Sequence, residues 1–155
     1  MRFSHLLICF AVVLLACSFS RAAEPDFAIK ISTDKSTVKA GSDVWIKIQM
    51  TNLSTHDLDC TKAYSNGLDR IYKYEITDSH GNPVKPRVRK HPEIGESGSI
   101  YPCTLGAGKS TDPNDSRISW AYDLSQPGQY TVQVQRKNSA GDEVRSNTLT
   151  INVQP

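Results

Sequence analysis

From Phe27 to the end of the chain, apolar residues recur at every second position, and that period admits few architectures. Phe27, Ile29 and Ile31 share one face of the first segment. Val44, Ile46, Ile48 and Met50 alternate with Trp45, Lys47, Gln49 and Thr51; Tyr72, Tyr74 and Ile76 alternate with Lys73, Glu75 and Thr77. The pattern returns in Ile118, Trp120, Tyr122 and Leu124, in Tyr130, Val132 and Val134, and in Leu149, Ile151 and Val153. Extended backbone sends successive side chains to opposite faces. Each segment therefore reads as a strand with one face on a core and the other on water or a second layer. Between the segments lie turn residues: residues 34–41, ending in Gly41; Asp78-Ser-His-Gly-Asn-Pro83; Ser125-Gln-Pro-Gly128; and Asn138-Ser-Ala-Gly-Asp142. Val84 to Val88 is expected to return as a hairpin partner. Beyond residue 23 no segment holds an i, i+3, i+4, i+7 apolar pattern free of Gly and Pro, so no helix of ordinary length is expected. Seven or more short strands within about 130 residues imply an all-β, antiparallel sandwich.

The first residues belong to a different kind of segment. Arg2 is followed by an unbroken apolar run from Leu6 to Ala16, then by Ser18, Ser20, Ala22 and Ala23. The run fits the roughly 7–15 residues of a signal-peptide core and falls short of the about 20 needed to span a membrane. Residues 1–23 are therefore expected to be an export signal, cleaved after Ala22 or Ala23, and residues 24–155 a single domain that is secreted or periplasmic. A rival processing route exists. Leu14-Leu-Ala-Cys17 resembles a bacterial lipoprotein box, which would anchor the chain by a lipid on Cys17. The Leu at the middle position fits that box loosely, so plain secretion is preferred.

Loss of Arg2 and Arg21 with the signal brings the 18 basic residues level with the 16 acidic ones. A chain without net charge has no global attraction for a polyanion, so nucleic acid is not an expected partner. Two cysteines remain, Cys60 and Cys103. A single pair in an exported chain reads as a disulfide. It would close a loop of 43 residues and contribute about 3–4 kcal/mol in the chain-entropy account. No Cys-x-x-Cys or His-x-x-x-His spacing joins these cysteines to His56, His80 or His91, so no metal and no cofactor is expected.

Candidate chemistry is sparse. Gly106-Ala-Gly-Lys-Ser-Thr111 has the end of a phosphate loop. Cys103 stands where the first glycine must be, and Asp112-Pro113 follows where a helix should start, so a polar turn is the reading. No Gly-x-Ser-x-Gly elbow occurs, and the three histidines fall in loops, so the chain is not expected to be an enzyme. Asp57 and Asp59 flank Leu58 and read as a solvated loop rather than as a cation site. Asn52-Leu-Ser54 and Asn114-Asp-Ser116 fit the glycosylation sequon. Lys85, Arg87 and Arg89 project from one face of an extended segment. They are candidates for contact with an anion or a partner; the plainer reading is an edge strand protected by charge.

The run Val38-Lys-Ala-Gly-Ser-Asp-Val-Trp-Ile-Lys-Ile-Gln-Met-Thr-Asn52 resembles the early strand of bacterial immunoglobulin-like domains. So do Ala121-Tyr-Asp-Leu-Ser-Gln-Pro-Gly-Gln-Tyr-Thr-Val-Gln-Val134 and Ser146-Asn-Thr-Leu-Thr-Ile-Asn-Val153. The pattern is also similar to the bacterial intracellular proteinase inhibitor family, which shares that sandwich. The resemblance implies an immunoglobulin-like β-sandwich of about seven to nine strands. Residues 53–117 carry none of it. Pro127-Gly128 and Tyr130 read as a tyrosine corner, with the ring in the core and the hydroxyl returned to nearby backbone; Leu124 should face the core beside it. Tyr101-Pro-Cys103 mimics the antibody Tyr-x-Cys. Pro102 cannot donate to a ladder, however, and no Trp lies between the cysteines, so the disulfide is expected to tie loops or strand ends. The functional expectation is a non-enzymatic module that binds a protein or cell-envelope partner through the loops 53–70 and 89–99. The alternative implied by the resemblance is a protease inhibitor that presents a loop to a protease cleft.

Overall fold

The computed structural model describes residues 25–87 and 98–155. The chain is all-β: strands β1 (Phe27–Ser32), β2 (Thr37–Lys39), β3 (Trp45–Asn52), β4 (Leu58–Asp59), β5 (Lys62–Ser65), β6 (Leu68–Asp69), β7 (Lys73–Thr77), β8 (Gly98–Tyr101), β9 (Thr104–Leu105), β10 (Asn114–Arg117), β11 (Gly128–Lys137), β12 (Glu143–Arg145) and β13 (Leu149–Gln154). One sheet has the order β1-β3-β10, antiparallel throughout, with Phe27 opposite Asn52 and Arg117 opposite Trp45. In the other, β11 pairs with β7 on one side and with β12 and β13 on the opposite side. Between the β12 and β13 stretches the register on β11 shifts by one residue, a bulge next to Ser146. The edge strand β2 runs parallel to β13. The chain therefore crosses from the first sheet to the second between β1 and β2. With only Val38 apolar and half-buried, β2 carries no alternation that could be read in advance.

The inward phases of the long strands meet in one core. Ile46, Ile48, Val132, Val134 and Ile151 are fully buried, and Phe27, Ile29, Ile31, Val44, Met50, Tyr72, Tyr74 and Ile76 are nearly so. These are the residues that the period-two pattern assigns to the interior, and their burial between two sheets is the main driving force for this fold.

One expected strand is absent. Ile118–Trp120 is a single 3-10 turn, closed by bonds from Ala121 N and Tyr122 N to Ile118 O. The apolar residues at 118, 120, 122 and 124 line the passage from β10 in one sheet to β11 in the other. Ile118 and Leu124 reach the core, but the backbone between them turns instead of extending. The return of Val84–Val88 is also shorter than a strand. Toward β7 it makes an isolated bridge between Thr77 and Pro83 and a bond from Val84 N to Ile76 O; further on, Pro86 bridges Tyr122 and Arg87 N donates to Ala121 O. Pro83 and Pro86 have no N–H to extend it, and Val88 lies outside the described residues.

The corner before β11 has the expected form. The Tyr130 ring is buried, and its hydroxyl donates to Gln126 O at 2.9 Å. Tyr130→Phe removes only that bond and should cost about 1 kcal/mol. Exposed Lys137, at the far end of β11, should tolerate Ala within about 0.5 kcal/mol. Denaturant melts of the two variants check this; a neutral Tyr130→Phe would mean that the hydroxyl does not hold the corner.

Residues 58–65 and 98–105 build a third element. Leu58 faces Leu105, Ser65 faces Gly98, and every pair between them keeps one register, so β4–β5 and β9–β8 form a single antiparallel ribbon. The ladder is interrupted at Pro102, and there the Cys60–Cys103 disulfide crosses it, with Cα atoms 4.8 Å apart and Cys60 N donating to Cys103 O at 2.9 Å. The disulfide joins two strands of one ribbon at their ends. Arg136 of β11 docks the ribbon onto the sandwich. Its Nη2 donates to Asp59 O at 3.0 Å and to Asp59 Oδ2 at 2.9 Å, and its guanidinium lies 6.0 Å from the centre of the Tyr72 ring.

Candidate functional site

A groove of about 550 Å³ opens beside the start of β3, between the β1–β2 connection and β10. Its wall is Trp45, a large aromatic on the outward phase of a strand whose inward phase is core. Trp45 is 42% exposed. Exposure here does not mean freedom. The Arg117 guanidinium lies over the ring at 5.6 Å. On the edge of the ring sits Gly67, at the tip of the β5–β6 hairpin, where φ is +82° and any Cβ would come within 3.2 Å of Trp45 Cη2. Only glycine meets both demands, the left-handed backbone and the close approach. Arg117 is itself held, by Asp43 Oδ2 at 3.3 Å and Asn66 O at 3.1 Å.

Charges of both signs surround the groove. Lys47 Nζ lies 2.7 Å from Asp34 Oδ2, and Asp115 stands opposite Lys47 on the β10 ladder. The Asp34 hydrogen bond and charge, with a smaller contribution from Asp115, raise the Lys47 pKa above the usual lysine value. Asp43 also accepts from Ser119 Oγ at 3.2 Å, and that hydroxyl in turn accepts from Val44 N. Lys35, Thr33 and Ser42 complete the polar rim. Such a surface offers one rigid apolar face, several oxygen acceptors and several N–H donors.

The hairpin behind Trp45 rests on a buried carboxylate. Asp69 Oδ1 accepts from Ala63 N at 3.3 Å and Ile71 N at 3.2 Å, its backbone N–H donates to Ser116 Oγ at 3.1 Å, and its carbonyl receives the Tyr74 hydroxyl at 2.7 Å. Burial pushes the Asp69 carboxyl above its ordinary value of 3.8, opposed by the two backbone bonds. A carboxyl raised in the folded state binds its proton more tightly there than in the unfolded chain. Its favourable contribution is complete below the unfolded value and is lost as pH rises through the folded one. Asp69→Asn keeps an acceptor and removes the charge. Relative to this variant, the wild type should therefore lose stability as pH rises from about 4 toward neutrality. Urea melts of both proteins across that range check it, and parallel stability curves would show that Asp69 does not titrate there.

The residues singled out from sequence are scattered by the fold. Lys85 and Arg87 are exposed after β7, where Arg87 pairs with Asp123 at 3.3 Å. Arg89, His91 and Cys17 lie outside the described residues. Asp59 is committed to Arg136, while Asp57 is exposed. His56 is exposed too. His80 Nδ1 faces both Ser79 Oγ at 3.4 Å and Asp78 Oδ1 at 4.0 Å. A proton relay needs the two partners on opposite ring nitrogens, so this turn is not a catalytic triad. Gly106–Thr111 is a turn, with Lys109 N bonded to Gly106 O and the Thr111 hydroxyl accepting from Met50 N. Asn52 of the first sequon is fully buried, and its amide donates to His56 O and Leu105 O, both at 2.8 Å. Among the described residues no group of three or more His, Cys, Asp or Glu converges as metal ligands.

Trp45 was not a candidate from sequence, although one signal was present. A tryptophan on the polar phase of an otherwise regular strand is an apolar side chain with no core to enter. Its partners Asp43, Arg117 and Gly67 carry no local signal.

No protein-family model matches this chain, and no curated protein matches it. Among solved structures it is similar to a CARDB domain from Pyrococcus furiosus determined by solution NMR, with 12% sequence identity, a TM-score of 0.41 and coverage of 83% of this chain and 94% of that one. The assignment of this chain as an all-β sandwich rests on its own strand pairing.

Proposed function

We propose that this chain is an exported, non-enzymatic immunoglobulin-like module that binds a protein or cell-envelope partner. The observation that carries the reading is the groove at Trp45, a half-exposed indole immobilised by Arg117 and Gly67. Holding a large apolar ring rigid in water has a cost that burial against a ligand recovers. The Cys60–Cys103 bridge supports an oxidising compartment, in keeping with the signal-like residues 1–23. Lys85, Arg87 and Arg89 serve in this reading as a secondary contact for acidic groups of the partner.

Wild-type protein and Trp45→Ala, each immobilised, should be exposed to envelope extract. The expected result is a component retained by the wild type and lost from the variant, with both proteins giving the same circular dichroism. Equal retention by both proteins, or no retained component, would remove the groove from the reading. Stoichiometric inhibition of a serine or cysteine protease would replace it with the inhibitor alternative, and turnover on a substrate panel would replace it with an enzyme.

A further inference from the structure

We infer that the Trp45 groove takes an uncharged, hydroxyl-rich ligand, a segment of neutral glycan. The inference rests on the groove being the binding face and goes further by naming the ligand chemistry. Three features converge on it. The first is charge. Asp34, Asp43 and Asp115 line the opening together with Lys35 and Lys47, and Arg117, which lies over the Trp45 ring outside that lining, pairs with Asp43. The two ion pairs leave Asp115 and Lys35 to offset each other, so the groove does not steer an ion of either sign. A phosphate or carboxylate would compete with Asp34 for Lys47. An ammonium would approach a ring that already lies under a guanidinium.

The second feature is polarity. A purely apolar ligand would cover Asp34, Lys47 and Thr33 and strip their water without replacing it, at a cost for each group. Sugar hydroxyls both donate and accept. They can donate to the carboxylates and accept from the lysine ammonium groups while each ion pair stays in place. The third feature is Trp45. A pyranose presents a face of C–H groups that matches a flat aromatic surface, and the indole here is held at a fixed orientation before any ligand arrives. Fixing the ring beforehand lowers the ordering cost of binding. The groove, at about 550 Å³, lies within the range of small-ligand sites.

The test is calorimetric titration of the oxidised protein with neutral oligosaccharides (β-1,4-glucose, β-1,4-N-acetylglucosamine and α-1,4-glucose oligomers), beside a sulfated oligosaccharide and oligolysine. Saturable binding of at least one neutral oligomer is expected, weakened about tenfold or more in Trp45→Ala and changed little between about 50 and 500 mM salt, because no ion pair forms with the ligand. A second variant guards against misfolding. Trp45→Tyr keeps an aromatic face at the same position and should recover part of the binding that Trp45→Ala loses. Several results would overturn the glycan assignment: binding confined to the sulfated or cationic ligand, steep salt dependence, Trp45→Tyr binding no better than Trp45→Ala, or absence of neutral-oligomer binding while Trp45→Ala still loses a retained envelope component. The last outcome leaves the module reading intact. Absence of any Trp45-dependent partner defeats both.

Discussion

Replacing both bridge cysteines, Cys60→Ala with Cys103→Ser, is expected to lower stability by about 4 kcal/mol. The bridge closes a loop of 43 residues, and a cross-link of that span removes about this much chain entropy from the unfolded state. The folded state loses little of its own. The Cys60 N to Cys103 O bond and the pairs on either side of it are backbone contacts, and Arg136 still grips Asp59. The loss should therefore appear as a lower denaturant midpoint with native-like circular dichroism, and the ribbon should loosen ahead of the sandwich. In the unsubstituted protein lacking residues 1–23, thiol titration under denaturing, non-reducing conditions should find about zero equivalents. Two reactive thiols would refute the pairing, and a stability change under about 1 kcal/mol would show that the ribbon's unfolded chain is already constrained.

Asn52→Ala should cost about 2–4 kcal/mol, a large effect for one polar residue. Asn52 ends β3 with its side chain fully buried. The amide nitrogen donates to His56 O and Leu105 O, and Oδ1 accepts from Ser54 N at 2.8 Å and Ser54 Oγ at 2.7 Å. Alanine removes all four bonds; Ser54 Oγ and His56 O keep each other at 2.9 Å, while Leu105 O loses a buried donor. The neighbouring Thr55, exposed in the same loop, should tolerate Ala within about 0.5 kcal/mol. Denaturant melts of the pair decide the point: if the two variants fall together, residues 53–57 hydrate their own backbone and Asn52 does not organise them.

The same residue illustrates the limits of local reading. Asn52-Leu-Ser54 has the form of a modification sequon, yet Ser54 follows Asn52 because the two close an Asx turn beneath Leu105. Nothing within three residues distinguishes the two roles. Burial does, and burial is set by a strand more than fifty positions away. Residues 118–124 show the converse error. Their alternation is real, and Ile118 and Leu124 do enter the core. Four apolar residues spaced by two can also line a bent crossing between sheets, and the backbone there closes a 3-10 turn.

Side-chain alternation by itself determined the all-β class and the interior phases of β1, β3, β7, β11 and β13, and Pro127-Gly128 ahead of Tyr130 marked the corner. Those properties belong to single extended segments, because a strand shows its buried face in its own residues. The cysteine pair likewise pointed to one another with no third candidate beyond residue 23. Tertiary structure decided the rest. β2 and the ribbon strands are two to four residues long, too short to show a period, and they exist because the edge of β13 and the facing arm of the ribbon offer them partners. Arg136 and Asp59 meet across 77 positions. The Trp45 groove draws on β3, β10, the β1–β2 connection and the hairpin tip at Gly67. A binding surface of that kind is a relation between distant segments, and only chain closure into two packed sheets brings them to the same place.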